Sequence, residues 1–279
     1  MKKIALVFSG GALRGFAQFG CVKAIEEFCK KESLEIDTVV GTSFGTITSS
    51  LIALGYRSKE MIDYSLKTGF NVSNLRDIML FGPAVLKGKK INRELTKFIG
   101  YKTFEETKIN IIINSVDIYS GKEYIFTNKG IFTSDRKTHV ASGIRILDGI
   151  KASTAIPLIF KPVRLGKLSL VDGGLVSAMA LHLIDPYDFD MVIAVDVCMA
   201  NFSFIEKKQN LRRLDMIKQS ISVMQRQFHF KEVDEHMKKY GNIVLIRPKV
   251  GPAKIKNKGE MKRLIKVGYT ETKKVLGQL

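Results

Sequence analysis

The sequence predicts an α/β protein built on a mainly parallel β-sheet. Two observations carry this. Within the first 55 residues, short apolar runs alternate with helix-length stretches in the order strand, helix, strand, helix. That alternation implies a parallel sheet covered by helices. Further apolar runs of strand length then recur along the chain as far as Ile246.

Taken in order, Lys3–Ser9 is a short apolar run ended by glycines and reads as a buried strand. Gly15–Lys31 places Phe16, Phe19, Val22, Ile25 and Phe28 near helical spacing and ends in lysines, so it reads as a helix. Ile36–Thr42 is a second strand, and Phe44–Gly55 a second helix that stops at a glycine. Further strands are expected at Ile109–Val116, Glu123–Thr127, Leu168–Val171, Met191–Val197 and Ile243–Ile246. Further helices are expected at Lys59–Lys67, Ile91–Ile99, Arg145–Ala152, Leu211–Glu235 and Met261–Leu276. No internal repeat or low-complexity linker stands out. The 279 residues read as a single domain, with a helical insertion at about 57–105 and a basic C-terminal helical region at about 201–279.

The bulk properties exclude several classes. Hydrophobic residues make up 45% of the chain and the mean hydropathy is +0.04, enough for a proper core and against general disorder. The N-terminal apolar run, Ile4 to Phe8, is too short for a secretory signal. No stretch approaches the roughly 18–20 uncharged apolar residues that span a bilayer. The best of them, MVIAVDVCMA, contains Asp196. Three cysteines (Cys21, Cys29, Cys198) lack metal-site spacing, which points to reduced thiols in a cytoplasmic protein. The net charge is +18, and residues 201–279 hold 19 Lys/Arg against 7 Asp/Glu. A basic surface attracts anionic partners such as phospholipid headgroups. Nucleic acid is not expected as a partner, because no recognised motif accompanies the charge.

Two small-residue loops carry the chemistry. FSGGALRG joins the first strand to the first helix. As a dinucleotide fingerprint it reads G-x-A-x-x-G, with alanine where pyrophosphate needs a close backbone approach. As a nest at a helix N-terminus, its N–H groups could hold a phosphate or the oxyanion of an acyl-transfer intermediate, with Arg14 adding positive charge. The second loop, Gly41-Thr42-Ser43-Phe44-Gly45, is a G-x-S-x-G between a strand and a helix, the context of a nucleophile elbow. A serine needs a base. The histidines available are His139, His182, His229 and His236, of which His229 and His236 fall on the basic helix and read as surface residues. The alternative base is Asp172, at the end of the apolar strand in LSLVDGGL; its bland reading is an Asp-Gly turn.

Three blocks in order, FSGGALRGFAQFGCVKAI, VVGTSFGTITSSLIALGY and KASTAIPLIFKPV followed by LSLVDGGL, resemble patatin-like phospholipases. The resemblance is dense over residues 3–56 and 151–197 and thin elsewhere. It implies a three-layer α/β/α patatin-like fold and a Ser–Asp dyad without histidine. By position, Ser43 is then the nucleophile and Asp172 its base. The N–H groups of Gly10, Gly11 and Ala12 would form the oxyanion hole, supported by Arg14. Gly15, Gly41, Gly45, Gly173 and Gly174 would shape the loops. No metal or cofactor is implied, and the substrate would be a phospholipid or another acyl ester.

The chain departs from the family pattern at two places. Ala12 stands at the third glycine position, a change the hole tolerates if φ there stays negative. After Asp-Gly-Gly, Leu-Val-Ser-Ala-Met-Ala-Leu replaces a stretch tending to Asn-x-Pro. Leu214, Ile217, Ile221, Met224 and Phe228 form one apolar stripe, expected first to pack on the sheet and, as the alternative, to lie on an anionic membrane. The insertion segment NLRDIMLFGPAVLKGKK is a second candidate for membrane contact or a lid.

Overall fold

The computed structural model describes residues 2–68, 89–128, 130–133, 138–139, 143–198, 213–251, 253 and 258–279. Most of the insertion segment at residues 74–90 lies outside these residues. Strand β1 (Lys2–Phe8) leads through a short 3-10 turn into α1 (Phe16–Glu32), then β2 (Leu34–Gly41), α2 (Phe44–Ala53) and α3 (Ser58–Thr68). Helix α4 (Lys89–Ile99) precedes β3 (Asn110–Asp117), β4 (Glu123–Thr127), β5 (Gly130–Thr133) and β6 (Thr138–His139). There follow α5 (Ile146–Ser153), β7 (Val163–Leu165), β8 (Leu168–Asp172), β9 (Met191–Val195), α6 (Arg213–Lys239), β10 (Ile243–Ile246) and α7 (Lys258–Leu276).

The strands form one mixed sheet in the order β10-β9-β1-β2-β3-β4-β5-β6. From β10 to β3 every pairing along this path is parallel; beyond β3 the pairings are antiparallel. Strand β3 also takes β8 as an antiparallel partner, and β8 pairs with β7. In this way β3 touches the ends of two strands at once: Ile113 is opposite Gly41 of β2, and Ser115 is opposite Asp172 of β8.

The period-2 alternation of β1 divides two cores. Ile4, Leu6 and Phe8 join Phe16, Phe19, Ile25, Leu51, Met61, Leu95, Ile150 and Leu264, contributed by α1 to α5 and α7. Ala5 and Val7 join Val40, Val192 and Ala194 with Met179, Ala180, Leu181, Val233 and Tyr240. This second face is covered by the segment after Asp172 and by α6. The result is three layers, helix on sheet on helix, with α6 as the long helix of the thinner layer. At 27 residues it runs about 40 Å.

The apolar stripe of α6 does not pack on the sheet, contrary to the first expectation. Ile217, Met224 and Phe228 are 47%, 58% and 55% exposed, and Met216 and Val223 beside them are also exposed. The side chain of Leu214 lies outside the described residues. Among the described residues of α6, His229 and Val233 are the buried ones, and the part-buried Gln225 and Glu232 turn polar side chains to the Asp172 segment.

Candidate active site

Two strand ends and one loop meet at the edge of the parallel sheet. Strand β2 stops at Gly41, and α2 starts at Phe44. Between them Ser43 has φ 51° and ψ −122°, a conformation that costs an L-residue about 1–3 kcal/mol. Its neighbours hold it there. The Ser43 amide donates to Ser153 Oγ at 3.0 Å, and the Thr46 hydroxyl donates to the Ser43 carbonyl at 2.6 Å. The Thr42 amide donates to Phe8 O at 3.1 Å. Gly45 sits so close to this crossing that a Cβ would strike the Phe8 carbonyl oxygen, a backbone atom that cannot step aside.

Asp172 ends β8. Its Oδ2 accepts the Ser43 hydroxyl at 2.7 Å, and its Oδ1 accepts the Gly174 amide at 2.8 Å. Both residues are buried, at 7% and 6% exposure. Burial pushes the Asp172 carboxyl up to about 6, against the opposing pull of the Gly174 amide and the Ser43 hydroxyl. It is therefore mostly ionised at neutral pH and stands ready to accept a proton. Gly173 follows where a Cβ would collide with the Asn114 side chain, so the loop after Asp172 closes directly on β3.

The glycine-rich loop lies alongside. A Cβ on Gly10 would meet Ser43 Cβ at 3.2 Å, so this backbone lies directly against Ser43. The Gly10 amide, however, donates to Ala178 O at 2.8 Å, which commits it to the segment after Asp172. Among the described residues, the amides of Gly11 and Ala12 have no acceptor. Ala12 has φ 45°, so the condition of a negative φ is not met; the alanine instead takes the left-handed path open to a glycine, at some strain, and keeps its N–H on that path. Arg14 Nε donates to Gly251 O at 2.9 Å, and burial lowers the Arg14 pKa. Gly15 packs against the Phe44 ring.

The histidines fall elsewhere. His229 is buried at 1% exposure rather than on the surface: its Nε2 meets Asp196 Oδ2 at 2.9 Å, and Arg247 Nε reaches the same oxygen. His236 Nδ1 meets Glu232 O. His182 lies between Glu123 and Glu232. The side chain of His139 lies outside the described residues. Several supporting residues had no motif to announce them: Asn114, Ser177, Gln225 and Glu232; Ser153 lies in the KASTAIPLIFKPV block but was not singled out. One signal was available, since Asn114 interrupts the apolar run NIIINSVD and is fully buried. Among the described residues, no group of three or more His, Cys, Asp or Glu is placed to hold a metal ion. No described helix is long and apolar enough to cross a membrane.

Comparison with known proteins places the chain among relatives at the level of family and fold. An uncharacterized NTE family protein of Mycobacterium tuberculosis is 28% identical over 196 residues, covering 70% of this chain and 30% of that protein. The chain thus spans less than a third of that relative's length. A probable lipid hydrolase of Invertebrate iridescent virus 6 is 25% identical, covering 75% of this chain and 73% of that protein. Among solved structures, VipD from Legionella pneumophila aligns with 99% of this chain and 67% of its own at a TM-score of 0.50 and 14% identity, a likeness of fold. The family model described as patatin-like phospholipase matches residues 6–185, the stretch that holds Ser43, Asp172 and the glycine-rich loop, and the chain belongs to that family.

Proposed function

We propose that the protein is a serine lipid acyl hydrolase acting on fatty-acyl esters of phospholipids or lysophospholipids through Ser43 and Asp172. The observation that carries this reading is the 2.7 Å hydrogen bond from a strained, buried serine to a carboxylate whose pKa is raised to about 6. Ser43 Oγ attacks the ester carbonyl as its proton passes to Asp172. The amides of Gly11 and Ala12 stabilise the oxyanion; Gly10 shapes the loop, its own N–H being bound to Ala178. Collapse expels the alcohol, which takes the proton from Asp172. Water then gives a proton to Asp172 and attacks the acyl-enzyme. The fatty acid leaves, and the proton returns to Ser43.

The exposed apolar face of α6 and the net charge of +18 support contact with an anionic lipid surface, so the protein would work peripherally at a membrane. Three buried cysteines outside any disulfide accord with a cytoplasmic setting. The test is labelling by a fluorophosphonate probe, read by intact mass with vesicles present. One adduct on the wild type, lost in Ser43→Ala and Asp172→Ala, is expected. A folded wild type that takes no adduct would sink the hydrolase reading.

A further inference from the structure

The segment after Asp172 is held by an ionic clamp that the dyad chemistry itself does not call for. Both ring nitrogens of His182 meet carboxylates: Nε2 is 2.8 Å from Glu123 Oε2, and Nδ1 is 3.2 Å from Glu232 Oε1. An ionised carboxylate can only accept, so both nitrogens donate, and the ring is an imidazolium. The Glu123 and Glu232 side chains are 3% and 13% exposed, the ring 35%. Burial alone would lower the His182 pKa; the two carboxylates outweigh it and push it up to about 10. Burial likewise works to raise the Glu232 pKa, and the hydrogen bonds from His182 and Ser177 bring it below the usual carboxylate value.

From this clamp, hydrogen bonds run to every part of the site. Glu232 accepts the Ser177 hydroxyl at 2.5 Å and the Leu181 amide at 3.0 Å, and the Ala180 amide donates back to Ser177 Oγ at 2.6 Å. Ala180 itself has φ 51°, so the loop needs such restraint. Between these points Ala178 O holds the Gly10 amide of the glycine-rich loop. On the other side, Glu123 Oε1 accepts Asn114 Nδ2 at 3.0 Å. Asn114 reaches the carbonyls of Gly173 and Ser177 and accepts the Thr42 hydroxyl, one residue before the nucleophile. Two turns earlier along α6, Gln225 Nε2 donates to Gly174 O at 2.8 Å.

We propose that His182, as an imidazolium held between Glu123 and Glu232, is a positioning residue that keeps the Asp172 loop aligned with Ser43 and the Gly10–Ala12 loop. This rests on the hydrolase reading above. His182 does not act as a base, because neither ring nitrogen is left to take a proton. Its replacement by a neutral residue leaves two buried carboxylates facing each other without a cation. The loop must then open to solvate one of them. Removing the second charge relieves that conflict, and no such second change could rescue a lost general base.

The decisive measurement is the rate of Ser43 labelling by a water-soluble fluorophosphonate in wild type, His182→Gln and the double variant His182→Gln/Glu232→Gln, each well below its own Tm. Expected for His182→Gln is a fall of about tenfold to a hundredfold in maximal labelling rate, the size associated with slight misplacement of catalytic groups, with the probe's half-saturating concentration unchanged. The double variant recovers most of it. Labelling of His182→Gln within twofold of wild type overturns the positioning role, even if Tm drops. No labelling of the wild type overturns the hydrolase reading instead. Nitrogen-15 spectra of the wild-type ring at pH 8 give a check that needs no variant to fold: two protonated nitrogens are expected, and a neutral ring overturns the clamp.

Discussion

On one face of the sheet, Phe8 meets a cluster in which the rings of Phe16 and Phe44 lie 5.0 Å apart, edge to face, with Phe19 5.9 Å from each. On the other face, α6 is joined to the rest by Gln225 to Gly174, His229 to Asp196 and Glu232 to Ser177. The first kind of contact is non-directional and grows with buried area. The second is directional and fixes atoms to a few tenths of an ångström. The difference teaches a division of labour. The thick layer supplies stability, while the thin layer sets where the Asp172 loop and the glycine-rich loop stand. A helix tied down by polar contacts also leaves its apolar residues outward, where a lipid surface could take them.

The sharpest way to break that division is at Asp172. Asp172→Asn should slow fluorophosphonate labelling by about 100- to 10,000-fold. Its stability should move the other way. The folded pKa of about 6 lies above the unfolded value, so the stabilising contribution of protonated Asp172 is present at low pH and is lost as pH rises through about 6. At pH 7 the Asn variant should therefore melt no lower than wild type. Wild-type labelling should fall about tenfold per pH unit below 6, and a midpoint near 4 would contradict the buried base.

The same deletion made on each face gives the next test. Phe19→Ala, in the thick layer, should cost about 3–5 kcal/mol in chemical denaturation. Phe228→Ala, on the exposed side of α6, should stay within about 0.5 kcal/mol yet weaken adsorption to anionic vesicles. Equal stability costs would erase the contrast. The smallest effect is expected at Ala12, where Ala12→Gly relieves the left-handed strain and should gain less than about 1 kcal/mol without slowing labelling.

What the sequence revealed follows the same split. The alternation that opens the chain and the G-x-S-x-G at a strand end were readable because each depends on neighbours within a few residues, whereas Asp-Gly-Gly read locally as a turn and stood out only through the three blocks together. Glu123–Thr127 and Ile243–Ile246 were located to the residue. Short β5, β6 and β7 were missed, since two to four residues carry too little period to detect. Helix α6 was located, but its inward face was misjudged. Its apolar stripe suggested core, whereas the partners that bury His229 and Glu232 come from Asp196 and from the segment around Ser177, far away in sequence. The supporting hydrogen bonds of the site share this non-local origin, so no spacing along the chain announces them.

Strand β3 has one more consequence. Ser43 and Asp172 are 129 residues apart, yet both are spaced by the same strand, one through Gly41 opposite Ile113 and the other through Asp172 opposite Ser115. A slip of a single residue along β3 would turn Asn114 to the opposite face and offset the two strand ends by about 3.3 Å. Closing so long a loop comes late and costs entropy before any contact rewards it. With the proposed dyad, the serine becomes reactive only after the parallel and antiparallel halves of the sheet have joined. Reactivity toward a probe would serve as a clock for the last step of folding, silent in any chain that has formed only one half.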